Sequence, residues 1–151
     1  MSDFSNEKQL VLEYYAELDS AAPDQIEAVL SRFCHTNRVW RGYHPFHELT
    51  DHSEVAETFW QPLRHALSHM QRRDDVFMAG GNEIDGFQSV WVVSMGHLMA
   101  LFDAPWLGIQ PTGKMAMLRY CEFNKVEDGQ ITETAMYFDI PHLMMQAGLQ
   151  P

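Results

Sequence analysis

The spacing of apolar residues changes period partway along this chain. Early on they recur three and four apart. Leu10, Val11, Tyr14, Tyr15 and Leu18 predict a helix that Ser5 and Asn6 can cap. A break at Ala21 to Asp24 precedes a second helix, with Ile26, Val29, Leu30 and Phe33 on one face. Arg38 to Gly42 reads as a short strand. Tyr43 to Thr50 reads as a loop, because Pro45 disfavours helix through it. Asp51 and Glu54 have capping-box spacing ahead of a third helix. Its face is Val55, Phe59, Leu63, Ala66, Leu67 and Met70, and Pro62 kinks or interrupts it.

The remainder is strand-like. Trp91 to Ala100, Trp106 to Gly113 and Met115 to Val126 read as long apolar-rich strands, although Pro105 to Gly113 also carries break signals. Glu127 to Gln130 is a short Asp-Gly turn, and Ile131 to Asp139 a further strand before a tail opened by Pro141. Other breaks fall at Gly80-Gly81 and Asp85-Gly86, with no repeat or linker. Helices followed by a meander describe one α+β domain over residues 1–151, its curved antiparallel sheet covered on the concave face by the helices. Trp91 and Val93 are apolar beside Val90 and Val92, so both sheet faces are apolar and the outer one is expected to pair two copies as a homodimer.

Charge narrows the partners. Ten Lys and Arg against 21 Asp and Glu leave a net charge of −11, which argues against nucleic acid or an anionic membrane surface. Cys34 and Cys121 lack metal-type spacing and read as free thiols of a reducing compartment. The N-terminus lacks the basic and apolar regions of an export signal, and no apolar run approaches a bilayer span, so the expected location is cytoplasmic. No phosphate loop, nucleophile elbow or kinase signature occurs, which disfavours nucleotide cofactors and acyl-enzyme chemistry.

What remains is a small-molecule pocket with a few convergent polar groups. His97, after Gly96, can donate to a developing enolate oxygen or relay a proton; it also reads as a core histidine. Asp139 can serve as a base, as a helix N-cap before Pro141, or as both. His65 and His69 lie four apart on the expected third helix, but Ala66 stands where a zinc helix carries Glu, so a polar helix face is expected and no metal. His44 and His47 suit a loop at a pocket mouth with Tyr43 and Trp40. Alternation puts Arg119 with Met115, Met117 and Cys121, and Glu122 with Leu118 and Tyr120; a salt bridge or dimer contact is expected of both. Met99, Met117 and Met136, with His69, Trp60 and Trp106, suit the walls of a pocket for a flat, apolar or aromatic ligand.

Several of these segments resemble the SnoaL-like polyketide cyclases, also called ester cyclases. The matching pieces are Gly96-His97, Trp106 to Gly113, Glu122 to Ile131, and Asp139 followed by Leu143, Gln146 and Gly148. The resemblance implies a cone-shaped α+β barrel of cystatin-like topology. It also implies cofactor-free ring closure by intramolecular aldol chemistry, with an Asp as acid/base and a His assisting. Isomerases, dehydratases, hydrolases and non-catalytic binding modules share the cone. Family members often read aromatic-acid-x-x-acid at the end of the last strand. This chain has Ala135-Met136-Tyr137-Phe138-Asp139, so Asp139 alone carries over.

Overall fold

A computed structural model describes residues 3–151. Met1 and Ser2, which begin the segment read as lacking an export signal, lie outside the described residues. The first helix, α1 (Ser5–Ser20), buries Val11, Tyr14, Tyr15 and Leu18. Its N-cap is Phe4, without a side-chain cap, in place of the expected Ser5 or Asn6. The Arg64 guanidinium holds its far end, donating to Leu18 O at 3.0 Å and Ala21 O at 2.8 Å. The second, α2 (Ile26–Phe33), buries its four expected residues.

Strand β1 (Cys34–Tyr43) turns through Pro45 into the short β2 (His47–Leu49), which pairs back on it. Part of the expected loop is therefore strand. The third helical segment comprises α3 (His52–Val55), a π-helical turn (Ala56–Trp60) and α4 (Gln61–Ala66). Asp51 caps it, accepting from Ser53 N at 3.1 Å. Pro62 offers no amide to a hydrogen-bond ladder, and the widened turn lies just ahead of it.

The helix stops at Ala66, earlier than its apolar spacing implies. Leu67 opens strand β3 (Leu67–Gly81), recruited by pairing with strand β4 (Val90–Phe102) from Leu67↔Phe102 onward. His69 falls at a strand irregularity with φ 53°, so the expected helical His65/His69 pair does not form. Among the described residues no group of three metal-ligating side chains assembles.

Strands β5 (Met115–Glu127) and β6 (Gln130–Phe138) complete the sheet before helix α5 (Ile140–Gln146). Asp128 and Gly129 form the hairpin turn with φ of 49° and 75°. Sheet order is β2-β1-β6-β5-β4-β3. Every neighbouring pair is antiparallel except β1 with β6, so the sheet is mixed rather than wholly antiparallel. Trp106 to Gly113 is a loop, not a strand. A bridge between Trp106 and Ile109 tucks both side chains into the core, and Leu107 and Gly108 turn with positive φ.

Alternation decides which chemistry lies inside. Ser94, Leu98, Ala100 and Phe102 on β4, and Ala116, Leu118, Tyr120, Glu122 and Asn124 on β5, are buried on the face under the helices. Their odd-numbered neighbours face outward. Gly96 is inward too, where the β3 backbone passes so close that a Cβ would lie 2.0 Å from Arg73 O. One half of the interior is aromatic: Trp40 meets Phe59 at 4.8 Å between ring centres, and Phe59 meets Trp60 at 4.8 Å. Burying each such ring contributes roughly 1.5–3 kcal/mol.

Candidate functional site

The other half of the interior is polar. Glu122, only 1% exposed, projects from β5 between Tyr120 and Asn124 on the same face. Asn124 Nδ2 donates to Glu122 Oε2 at 2.8 Å and to the Tyr15 hydroxyl of α1 at 3.2 Å. Tyr15 and Ser94 share a hydrogen bond of 2.7 Å. The Tyr120 hydroxyl reaches Ser94 Oγ at 3.2 Å and donates to Asp74 of β3. On the far side, Thr134 of β6 donates to Asn124 Oδ1 at 2.7 Å, and Arg38 Nη1 of β1 reaches Thr134 Oγ1 at 3.5 Å.

Arg72 of β3 closes the cluster over Glu122. Its guanidinium lies 3.8 Å from the Tyr15 ring centre and 5.1 Å from that of Tyr120. It donates to both carboxylate oxygens of Asp19, at 2.9 and 3.2 Å, and lies 3.5 Å from Glu122 Oε1. Burial pushes the Glu122 carboxyl above its ordinary range, against the opposing pull of Arg72 and the Asn124 hydrogen bond. Burial also raises the Tyr15 and Tyr120 phenols, so both stay protonated donors. A buried carboxyl beside hydroxyl donors is the kind of group that carries protons in general acid–base chemistry.

The expected catalytic pair lies elsewhere. His97 is odd-numbered on β4 and faces outward with a side chain 30% exposed, 3.9 Å from Asp75. Asp139 caps α5 by accepting from His142 N at 3.1 Å, and Arg119 Nη1 is 3.8 Å away. His97, Arg119 and Asp139 do line one open depression of about 530 Å³, but it is on the outer face. The expected salt-bridge roles of Arg119 and Glu122 are met by Asp139 and Arg72.

Among the expected ligand contacts, Trp40, Trp60, Trp106 and Met136 are buried inside. Tyr43 is outside, stacked on Tyr137 at 4.6 Å between ring centres, beside a second outer depression of about 560 Å³. Met99 and Met117 pair across β4 and β5 on the outer face. His69 is exposed on β3, and His44 sits in the β1–β2 turn against His47. The interior polar residues that sequence reasoning passed over, namely Tyr15, Arg38, Arg72, Ser94, Asn124 and Thr134, come from separate elements. The available signal was the shared parity of Glu122 with Leu118 and Tyr120. Met136 is paired directly with Glu122 across β5 and β6.

No family model and no curated protein matches this sequence. Solved structures do match the fold. A candidate SnoaL-like polyketide cyclase from Jannaschia sp. CCS1 superposes with a TM-score of 0.77 at 18% identity, over 97% of this chain and 94% of the other. AclR, a candidate hydroxylase from Streptomyces galilaeus, gives 0.70 at 18% over 99% and 100%. IdmH, a candidate polyketide cyclase from Streptomyces antibioticus, gives 0.69 at 16% over 91% and 98%. The chain therefore has the SnoaL-like α+β cone fold. No helix among the described residues is long and apolar enough to cross a membrane.

Proposed function

We propose that this chain is a SnoaL-like enzyme that performs acid/base chemistry, of the ring-closing aldol or isomerase type, on a small, apolar, carbonyl-bearing ligand inside the cone. One observation carries the reading: Glu122 is a wholly buried carboxyl held above its ordinary pKa, beside donors that stay protonated. In the forward step a Glu122 carboxylate oxygen takes the proton from the carbon next to a carbonyl. The enolate so formed attacks a second carbonyl of the same molecule. The resulting alkoxide recovers the proton from Glu122, so nothing is lost and one carbon–carbon bond is made. Structural neighbours described as polyketide cyclases support this class of substrate.

A second reading keeps the chemistry at His97 and Asp139, because both line one depression with Arg119. Deuterium exchange of the α-protons of an aryl 1,3-diketone, followed by NMR, separates the two. Glu122→Gln is expected to slow enzyme-dependent exchange about 10²–10⁴-fold, with His97→Ala and Asp139→Asn near wild type. The opposite pattern moves the site outside, and tight binding without exchange identifies a non-catalytic binding module.

The outer face supports a homodimer: Met78, Met95, Tyr43 and Tyr137 are exposed there, around half-buried Trp91, Val93 and Phe123. The free thiols Cys34 and Cys121 support a reducing, cytoplasmic setting.

A further inference from the structure

Arg38 is the charged group of the interior that the acid/base scheme leaves without work. It stands on the inward face of β1, two residues before Trp40, and is 1% exposed. Both carboxylates that meet the cluster's cations, half-buried Asp19 and buried Glu122, belong to Arg72, and Arg38 forms no ion pair among the described residues. His52 nearby, kept below its ordinary pKa by burial and then by Arg38 itself, supplies no counter-charge. Burial disfavours this cation, and the Tyr14 hydroxyl, Thr134 and the charge of Glu122 offset that cost, yet no carboxylate meets it directly.

The pattern of its hydrogen bonds suggests one. Nη1 faces Thr134, and the Tyr14 hydroxyl interacts with the same guanidinium. Nε and Nη2 are buried and make no hydrogen bond. These two nitrogens form one edge of the guanidinium plane, and their parallel N–H groups match the two oxygens of a carboxylate. From Arg38 the chain Thr134–Asn124 leads directly to Glu122.

We propose that Arg38 is a carboxylate-binding fork, and that the ligand accepted inside the cone is an aromatic or polycyclic carboxylic acid docked edge-on against Nε and Nη2. The proposal rests on the reading that ligands bind inside the cone, but not on Glu122 acting as a base.

The test uses naphthoate and its neutral amide, naphthamide, as probes of the whole protein by calorimetry, with the ¹⁵Nε resonance of Arg38 as a local reporter. Wild-type protein is expected to prefer naphthoate by about tenfold or more, with the Arg38 signal moving on titration. Arg38→Met is expected to lose that preference while melting at or above the wild-type temperature, since a desolvated charge has been removed. Arg38→Lys, which keeps charge but not the fork, is expected to recover part of the preference. If Arg38→Met loses the preference for naphthoate while Glu122→Gln leaves α-proton exchange of the aryl diketone unaffected, the acid/base reading fails and the fork stands. Equal affinity for acid and amide, an unmoved Arg38 signal, undiminished preference in Arg38→Met, or no naphthoate binding at millimolar concentration overturns the fork.

Discussion

Glu122 is a carboxyl whose neighbours disagree about its charge. Burial favours the protonated form, while Arg72 and Asn124 favour the carboxylate, and burial prevails. The sign of the consequence follows by linkage. Above the ordinary value of 4.5 the unfolded chain releases this proton while the folded protein still holds it. The stabilisation is thus complete below 4.5 and is lost as pH climbs through the folded-state value. Melting curves over a pH series should show wild type losing stability relative to Glu122→Gln across that window, by about 1.4 kcal/mol per unit of upward shift. Parallel curves would show that burial does not perturb this group. The alternation that pairs Glu122 with Leu118 and Tyr120 was legible from sequence. Which face of the sheet meets the helices was not, because Met95, Met99 and Trp91 make the other face look like core. His97 stands on that outer face.

At the scale of elements, local chemistry was readable wherever local chemistry decides. The apolar spacing of α1 and α2, the Asp51 cap and the Asp128-Gly129 turn all depend on neighbours within a few residues. Asp139 likewise caps α5, as its place before Pro141 predicts, a role worth about 1 kcal/mol. The misread stretches are set by distant partners. Leu67 to Met70 carries helical apolar spacing but joins β3, because β4 offers a full ladder from Phe102. Trp106 to Gly113 has strand-like composition, yet Pro105 just before it, Pro111 within it and a positive-φ turn leave it one bridge. The parallel contact of β1 with β6 joins segments almost a hundred residues apart, and no local pattern announces it.

At the scale of the molecule, the two faces of the sheet divide the work. The inner face meets helices, rings and the polar cluster; the outer face offers Val93 paired with Phe123 among exposed Met and Tyr side chains. Sedimentation should therefore find a dimer that Val93→Glu or Phe123→Glu dissociates, whereas a monomeric wild type would contradict that use of the face. Such a dimer brings a second copy over the sheet face that bears the His97 depression. The interior site was not legible as a unit, since β5 contributes Tyr120, Glu122 and Asn124 while α1 and strands β1, β3, β4 and β6 each add a residue or two. The central claim is that the buried polar cluster around Glu122 does the work. Its most direct test is ¹³C NMR of the Glu122 carboxyl and the His97 ring during titration with pH and then with an aryl diketone. The account predicts a Glu122 midpoint above the ordinary carboxylate range and a Glu122 signal that moves when the diketone binds, with His97 unmoved. An ordinary midpoint, and a ligand that shifts His97 and leaves Glu122 alone, would contradict it.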